Sequence, residues 1–308
     1  MSEMKVVPPI EITAAKIIAY NVPETDYAEW VAGTYPIGTR KIIAAQHTIY
    51  EVLATTTTDS PLDGIAKATP TWMIVSPTNR WKMFNKRRGN TWMIGTNTTN
   101  PESIDITLRP SARINSFGLV GVRGATVRVK MTIPSAGTTV YDKTFNMSNK
   151  AGGSWYQYYF GQFVTKDNVA QFDLPAYNNA DIQFIVSAPG GTAQVGMLII
   201  GMAKTIGVAV YGTSLGDESY SSVAEDAFGN VTITPRGSRA YVDYSVVMTS
   251  DQVTSARRTL GPLSDTAALY IGSEALDYTI IAGRFERLAI GLPTYDRAEY
   301  SLEVRSLM

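Results

Sequence analysis

The sequence contains no cysteine and a single histidine, His47. Without cysteine there is no disulfide framework, no thiolate nucleophile and no thiolate metal site. One histidine leaves no pair or triad for the common zinc and haem centres, and no ligand spacing points to a metal or other cofactor. Long apolar runs are missing too. The most apolar stretch, Val195–Ala203, has the length of a buried strand and falls short of the roughly 18 residues of a membrane helix. The opening MSEMKVVPPIEI has no apolar run after its lysine and does not read as a secretory signal. Charged residues are few, 18% against 44% hydrophobic, a balance that supports packed cores and excludes a disordered chain.

Net charge is also lacking: 27 basic and 27 acidic side chains cancel. A neutral chain argues against generic nucleic-acid binding, which needs a basic excess. The cancellation is uneven, however. Residues 1–71 sum to −3, residues 72–211 to +8, and residues 212–308, which hold no lysine, to −5. At roughly 100–200 residues per domain, 308 residues suggest two or three units, and the charge blocks suggest three.

What is present is mostly β patterning. Short runs with period-2 or β-branched character recur at Ile104–Leu108, Ala125–Ile133, Ile182–Ser187, Val195–Ile200, Val231–Thr234, Tyr241–Met248 and Tyr278–Ile281, punctuated by Gly, Pro and Asn. In Ala125–Ile133, Val127, Val129 and Met131 alternate with Arg128 and Lys130, as in a strand with one wet face. One helix is expected, Ser250–Leu260. Ser250 is its N-cap, Val253, Ala256 and Leu260 form its stripe, Arg257 and Arg258 lie in its last turn, and Gly261-Pro262 stops it. With Tyr241–Met248 before it and Ala268–Ile271 after it, it makes a strand–helix–strand unit.

Two clusters are candidates for binding. Trp30, Tyr35, Tyr50 and Trp72 punctuate a short module and are either its core or a flat aromatic platform for the C–H faces of a sugar. Residues 64–101 carry Lys67, Arg80, Lys82, Lys86, Arg87 and Arg88 and no acidic side chain, interleaved with Trp72, Trp81, Phe84 and Trp92. Such a mixture suits a single-stranded nucleic acid, a phosphorylated surface glycan or an inter-domain seam. The acidic C-terminal part is its natural partner, in the same subunit or the next, which makes Arg80, Trp81, Arg87, Arg88 and Trp92 the candidate protein-interface residues. Gly212–Gly216, GTSLG, matches the nucleophile-elbow pattern G-x-S-x-G, but the only histidine lies upstream of Ser214 rather than downstream. Asp217-Glu218 and Glu225-Asp226 are adjacent carboxylates on a polar stretch, not an opposed catalytic pair. No nucleotide fingerprint is present, and no catalytic residue is assigned.

Trp30-x4-Tyr35-x2-Gly38, Ile49-Tyr50 and a closing Trp72 resemble a small chitin-binding type of carbohydrate-binding module, although Thr39 stands where that type has Asp. In order along the chain, Asn21–Tyr27, this module, Pro77–Phe84, Ile104–Leu108, Ile114–Leu119, Val140–Asp142, Trp155-Tyr156-x-Tyr158, Asp173–Pro175, Phe228–Asn230 and Tyr270–Ser273 resemble tailed-bacteriophage tail and baseplate structural proteins. Relatives follow Phe84 with Asp where this chain has Asn85. The resemblance implies a mainly β chain of three parts. These are an N-terminal arm plus small aromatic-rich module (1–75), a galactose-binding-like jelly-roll sandwich in which a Phe117-Gly118-Leu119 turn leads from the strand Ile104–Leu108 into the next (76–206), and an α+β tail-attachment domain (207–308). It further implies a non-enzymatic virion component, made in the host cytoplasm. Such a component assembles with copies of itself and neighbouring tail proteins, without nucleic acid or membrane insertion. The alternative it leaves open is a glycan-binding adhesin module for the host surface.

Overall fold

The structure, a computed structural model, describes residues 2–84, 87–88, 91–93, 95–150, 163–210, 212–225, 228–273 and 276–307. Trp155, Tyr156 and Tyr158, like Asn85, Lys86 and Asp226, lie outside the described residues. Strand accounts for 54% of the chain and helix for 11%, a mainly β fold as the alternating runs predict.

The middle of the chain builds a sandwich. Thr138–Asn146, Thr126–Ile133, Asp181–Val195, Thr98–Leu108 and Ile17–Tyr20 form a five-stranded antiparallel sheet in that spatial order. Alternation decides its faces: Val127, Val129, Met131, Ile182, Phe184 and Val186 enter the core. Arg128 stays outside and pairs with Asp142 on the neighbouring strand at 2.6 Å. A three-stranded sheet, Asn168–Gln171, Ser116–Val120 and Met197–Gly201, covers the core with Phe117, Leu119, Leu198 and Ile200. Phe117 meets Phe184 edge-on, ring centres 5.5 Å apart, the arrangement that aromatic quadrupoles favour.

Residues from both chain ends build a barrel. Ser2–Val7, Ala268–Ile271, Ile280–Gly291, Arg297–Ser306, Ser238–Thr249 and Lys204–Ala209 pair antiparallel in that order, and Lys204–Ala209 pairs back onto Ser2–Val7. Closure leaves these six strands without an open edge around the ring. Met4, Val6, Tyr244, Val246, Tyr270 and Tyr300 fill the interior. The opening residues, expected as an N-terminal arm, are thus a barrel strand, and Ile17–Tyr20 is an edge strand of the sandwich. The boundaries expected after residues 75 and 206 fall inside the strands Trp72–Pro77 and Lys204–Ala209.

Barrel and sandwich share a layer. Along Ala268–Ile271, Ala268 and Tyr270 point into the barrel, while Leu269 and Ile271 join Val120, Met197 and Ile199 of the three-stranded sheet. That sheet is apolar on both faces, which explains the continuous run at Val195–Ala203. Phe117-Gly118-Leu119 is therefore no turn; it is the middle of a strand. A Cβ on Gly118 would lie 2.2 Å from Leu269 Cδ2, so glycine at this position lets the layers close.

The expected helix is shorter than its pattern. Ser250–Gln252 forms a 3-10 turn, Val253–Leu260 the α-helix and Gly261–Leu263 a second 3-10 turn. Ala256 and Leu260 are buried as expected. Ser250 does not cap the helix, because its hydroxyl donates to the Tyr295 carbonyl at 2.8 Å. The flanking strands are not neighbours: Ile280–Gly291 and Arg297–Ser306 lie between them. Tyr278 and Thr279 belong to a 3-10 turn rather than a strand. The Thr279 carbonyl accepts from the Tyr244 hydroxyl at 2.7 Å and its hydroxyl bonds the Leu276 and Ser273 carbonyls, so local bonds replace the ladder there.

Candidate functional site

The aromatic module is a three-stranded sheet, Arg40–Ile43, Thr48–Val52 and Trp72–Pro77, with a short pair Tyr35–Pro36 and Thr56–Thr57 and a helix Pro61–Ala66. Ser60 caps that helix: its hydroxyl accepts from the Asp63 amide at 3.2 Å, with Pro61 in the first turn. Gly64 sits directly on Trp72, where an added Cβ would lie 2.4 Å from the indole Cδ1. Trp72 is 1% exposed and its Nε1 donates to the Asp59 carbonyl at 3.1 Å. Tyr50 is 3% exposed, and burial raises the pKa of its hydroxyl. Tyr35 stands edge-on to Trp72 at 5.9 Å. Trp30 is half-buried, its Nε1 shielded and without a hydrogen-bond partner among the described residues. The four residues come together as a core. The expectation of a sugar platform is corrected here, since Tyr50 and Trp72 have no free face to stack on a ring.

The basic segment is an internal seam. Glu24 is its hub. Its carboxylate accepts from Arg80 Nη1 at 2.8 Å, Trp81 Nε1 at 2.9 Å, His47 Nδ1 at 2.9 Å and the Thr78 hydroxyl at 3.2 Å. Asp26 accepts from the Asn79 amide at 2.9 Å. The stretches Asn21–Tyr27 and Pro77–Phe84 thus grip one another. Trp81 is buried and stacks on the His47 ring, centres 4.3 Å apart. The Arg80 guanidinium covers the Tyr20 ring and donates from Nε to the Val22 carbonyl at 3.0 Å. Arg88 donates to the Thr48 hydroxyl at 2.8 Å, the His47 carbonyl at 3.0 Å and the Arg87 carbonyl at 2.9 Å, and burial holds its pKa below the ordinary arginine value. Arg87 reaches Asp265 beside the barrel at 3.4 Å, and half-buried Trp92 packs between the layers. Of the five residues expected at an interface between proteins, Arg80, Trp81 and Arg88 are committed to contacts within this chain.

The serine-hydrolase pattern is not assembled. Ser214 opens the strand Ser214–Ser219, paired with Ser238–Asp243, whereas His47 ends a 3-10 turn in the left-handed region (φ 50°) within the seam. Among the described residues no group of three histidine, aspartate or glutamate side chains could hold a metal ion.

A third surface was not legible in the sequence. Ser214–Ser219 and Ser238–Asp243 continue beyond the barrel into a second pair, Ser222–Glu225 with Val231–Thr234. In this distal ribbon Val223 faces Ile233, and Glu225 faces Val231. Alternation therefore collects Val223, Glu225, Val231 and Ile233 on one face and Ser222, Ala224, Thr232 and Thr234 on the other. Val223 is 65% exposed, Val231 57% and Ile233 61%. The sequence shows Val231–Thr234 as a strand, but strand character does not reveal that neither face is covered.

No family model matches the chain, and no curated protein matches it.

Proposed function

We propose that this chain is a structural assembly protein, a component of a phage tail or baseplate that engages a neighbouring subunit through its ribbon. The observation that carries the reading is the uncovered face of Val223, Val231 and Ile233, with Glu225 at its edge, on a separate two-stranded ribbon. A lone hairpin is marginal in water, and clustered exposed apolar residues mark interaction surfaces. The sandwich and barrel share a buried layer, which gives the ribbon a packed base. The ordered segment resemblance supplies the tail and baseplate setting. Mass spectrometry of density-purified phage particles from the producing cells tests it. The chain should co-sediment with tail proteins; its confinement to the particle-free supernatant contradicts the proposal.

A further inference from the structure

Ser2–Val7 fills a slot in the barrel wall between two strands far downstream in sequence. Ser2, Glu3 and Met4 pair with Ala209, Val208 and Gly207 on one side, and Lys5, Val6 and Val7 with Ile271, Tyr270 and Leu269 on the other. Met4, Val6 and Val7 are fully buried there. Pro8 and Pro9 follow, with no amide N–H to donate and a backbone held extended. From Pro8 to Glu11 the backbone donates one hydrogen bond among the described residues, from the Ile10 amide to the Ile200 carbonyl at 2.9 Å. The slot wall Lys204–Ala209 is itself lightly held on its far edge. It meets Ser238–Thr249 at two positions, Val208 opposite Val247 and Ala209 opposite Val246, the shortest ladder around the ring.

We infer that Ser2–Val7 is exchanged between copies, the segment of one copy filling the barrel slot of the next. The slot identifies its occupant: an incoming Ser2–Val7 remakes every pairing of the resident one, and only the connection Pro8–Glu11 changes course. That connection gives up little, and the short seam lets the wall swing aside to admit a strand. Synthesis supplies the occasion. At about 5–20 residues per second, Ser2–Val7 waits on the order of tens of seconds for the strands that form its slot, with its apolar side chains open to another copy. Reciprocal exchange closes a dimer, and one-way exchange builds a ring or a filament. The contact uses no residue of the ribbon, so it goes beyond the assembly reading above and does not depend on it.

The absence of cysteine makes the test direct. Glu3 and Val208 face each other across the ladder and neither is buried, a spacing that suits a disulfide. The full chain carrying Glu3→Cys and Val208→Cys together is purified, oxidised and run on a denaturing gel without reductant. Exchange predicts disulfide-linked dimers or longer species, and a linked pair when one chain carrying only Glu3→Cys is co-expressed with another carrying only Val208→Cys. Inserting Gly-Ser-Gly-Ser after Pro9 should lower the linked fraction severalfold, because a long flexible connection lets the segment reach its own slot. A doubly changed chain linked only within itself, with no linked pair from the two singly changed chains, overturns the inference. The ribbon reading is judged separately, on whether the chain is found in particles.

Discussion

At the scale of single residues, the seam is decided by one carboxylate. Glu24 is largely buried and satisfies Arg80, Trp81, His47 and Thr78 at once. Removing one partner of a buried charge network leaves the other charges uncompensated, typically at about 3–5 kcal/mol. Glu24→Ala should therefore lower unfolding free energy by about 3 kcal/mol in urea titration. Arg88→Glu should likewise damage the fold, since Arg88 makes three internal hydrogen bonds. The barrel interior adds a pH dependence. Burial raises the hydroxyl pKa values of Tyr244, Tyr270 and Tyr300, which favours the neutral phenol in the folded state. With the folded pKa above the unfolded value of about 10, this stability is complete below pH ~10 and is lost as pH rises through the folded pKa. Near-ultraviolet circular dichroism should show cooperative alkaline unfolding of the barrel above that pH, with a shallower pH slope in Tyr300→Phe.

At the scale of elements, glycine and alternation explain most of the architecture. Gly118→Ala places a methyl against fully buried Leu269, and overpacking of this kind costs about 1–3 kcal/mol; thermal unfolding should show the loss. Strands with one wet face are legible in the sequence, as in Thr126–Ile133, because burial writes a period of two. Legible too is the helix, through Ala256 and Leu260. Gly118 reads as a turn in the sequence because nothing local shows a second layer pressing on the strand. The roles of Trp72 and Arg88 are undecidable there for a similar reason: an aromatic or a cation reads alike in a core, a seam or an exposed patch until its neighbours are known.

At the scale of the whole molecule, the pairings that matter are distant ones. Ser2–Val7 closes a barrel whose other strands begin at Lys204, a pairing no local signal announces. The unequal charge blocks are legible, but their meaning changes with the structure. In the basic middle, Arg80 is drawn into the Glu24 seam and Arg87 reaches Asp265, while Arg109, Arg128 and Lys143 pair with carboxylates of the sandwich. Within the acidic end charge is mixed locally, with Asp217, Glu225 and Arg236 at the ribbon and Asp251, Arg257 and Arg258 at the helix. The ribbon presents exposed apolar side chains to a neighbour. Surface substitutions there should change stability by no more than about 0.5 kcal/mol, because the replaced residues touch no core. Folding and assembly should therefore separate cleanly in Val231→Glu/Ile233→Glu. The most direct measurement is the fraction of this variant recovered in purified particles, beside the wild type. The account predicts a folded chain left out of particles that contain the wild type; equal incorporation of the two would contradict it.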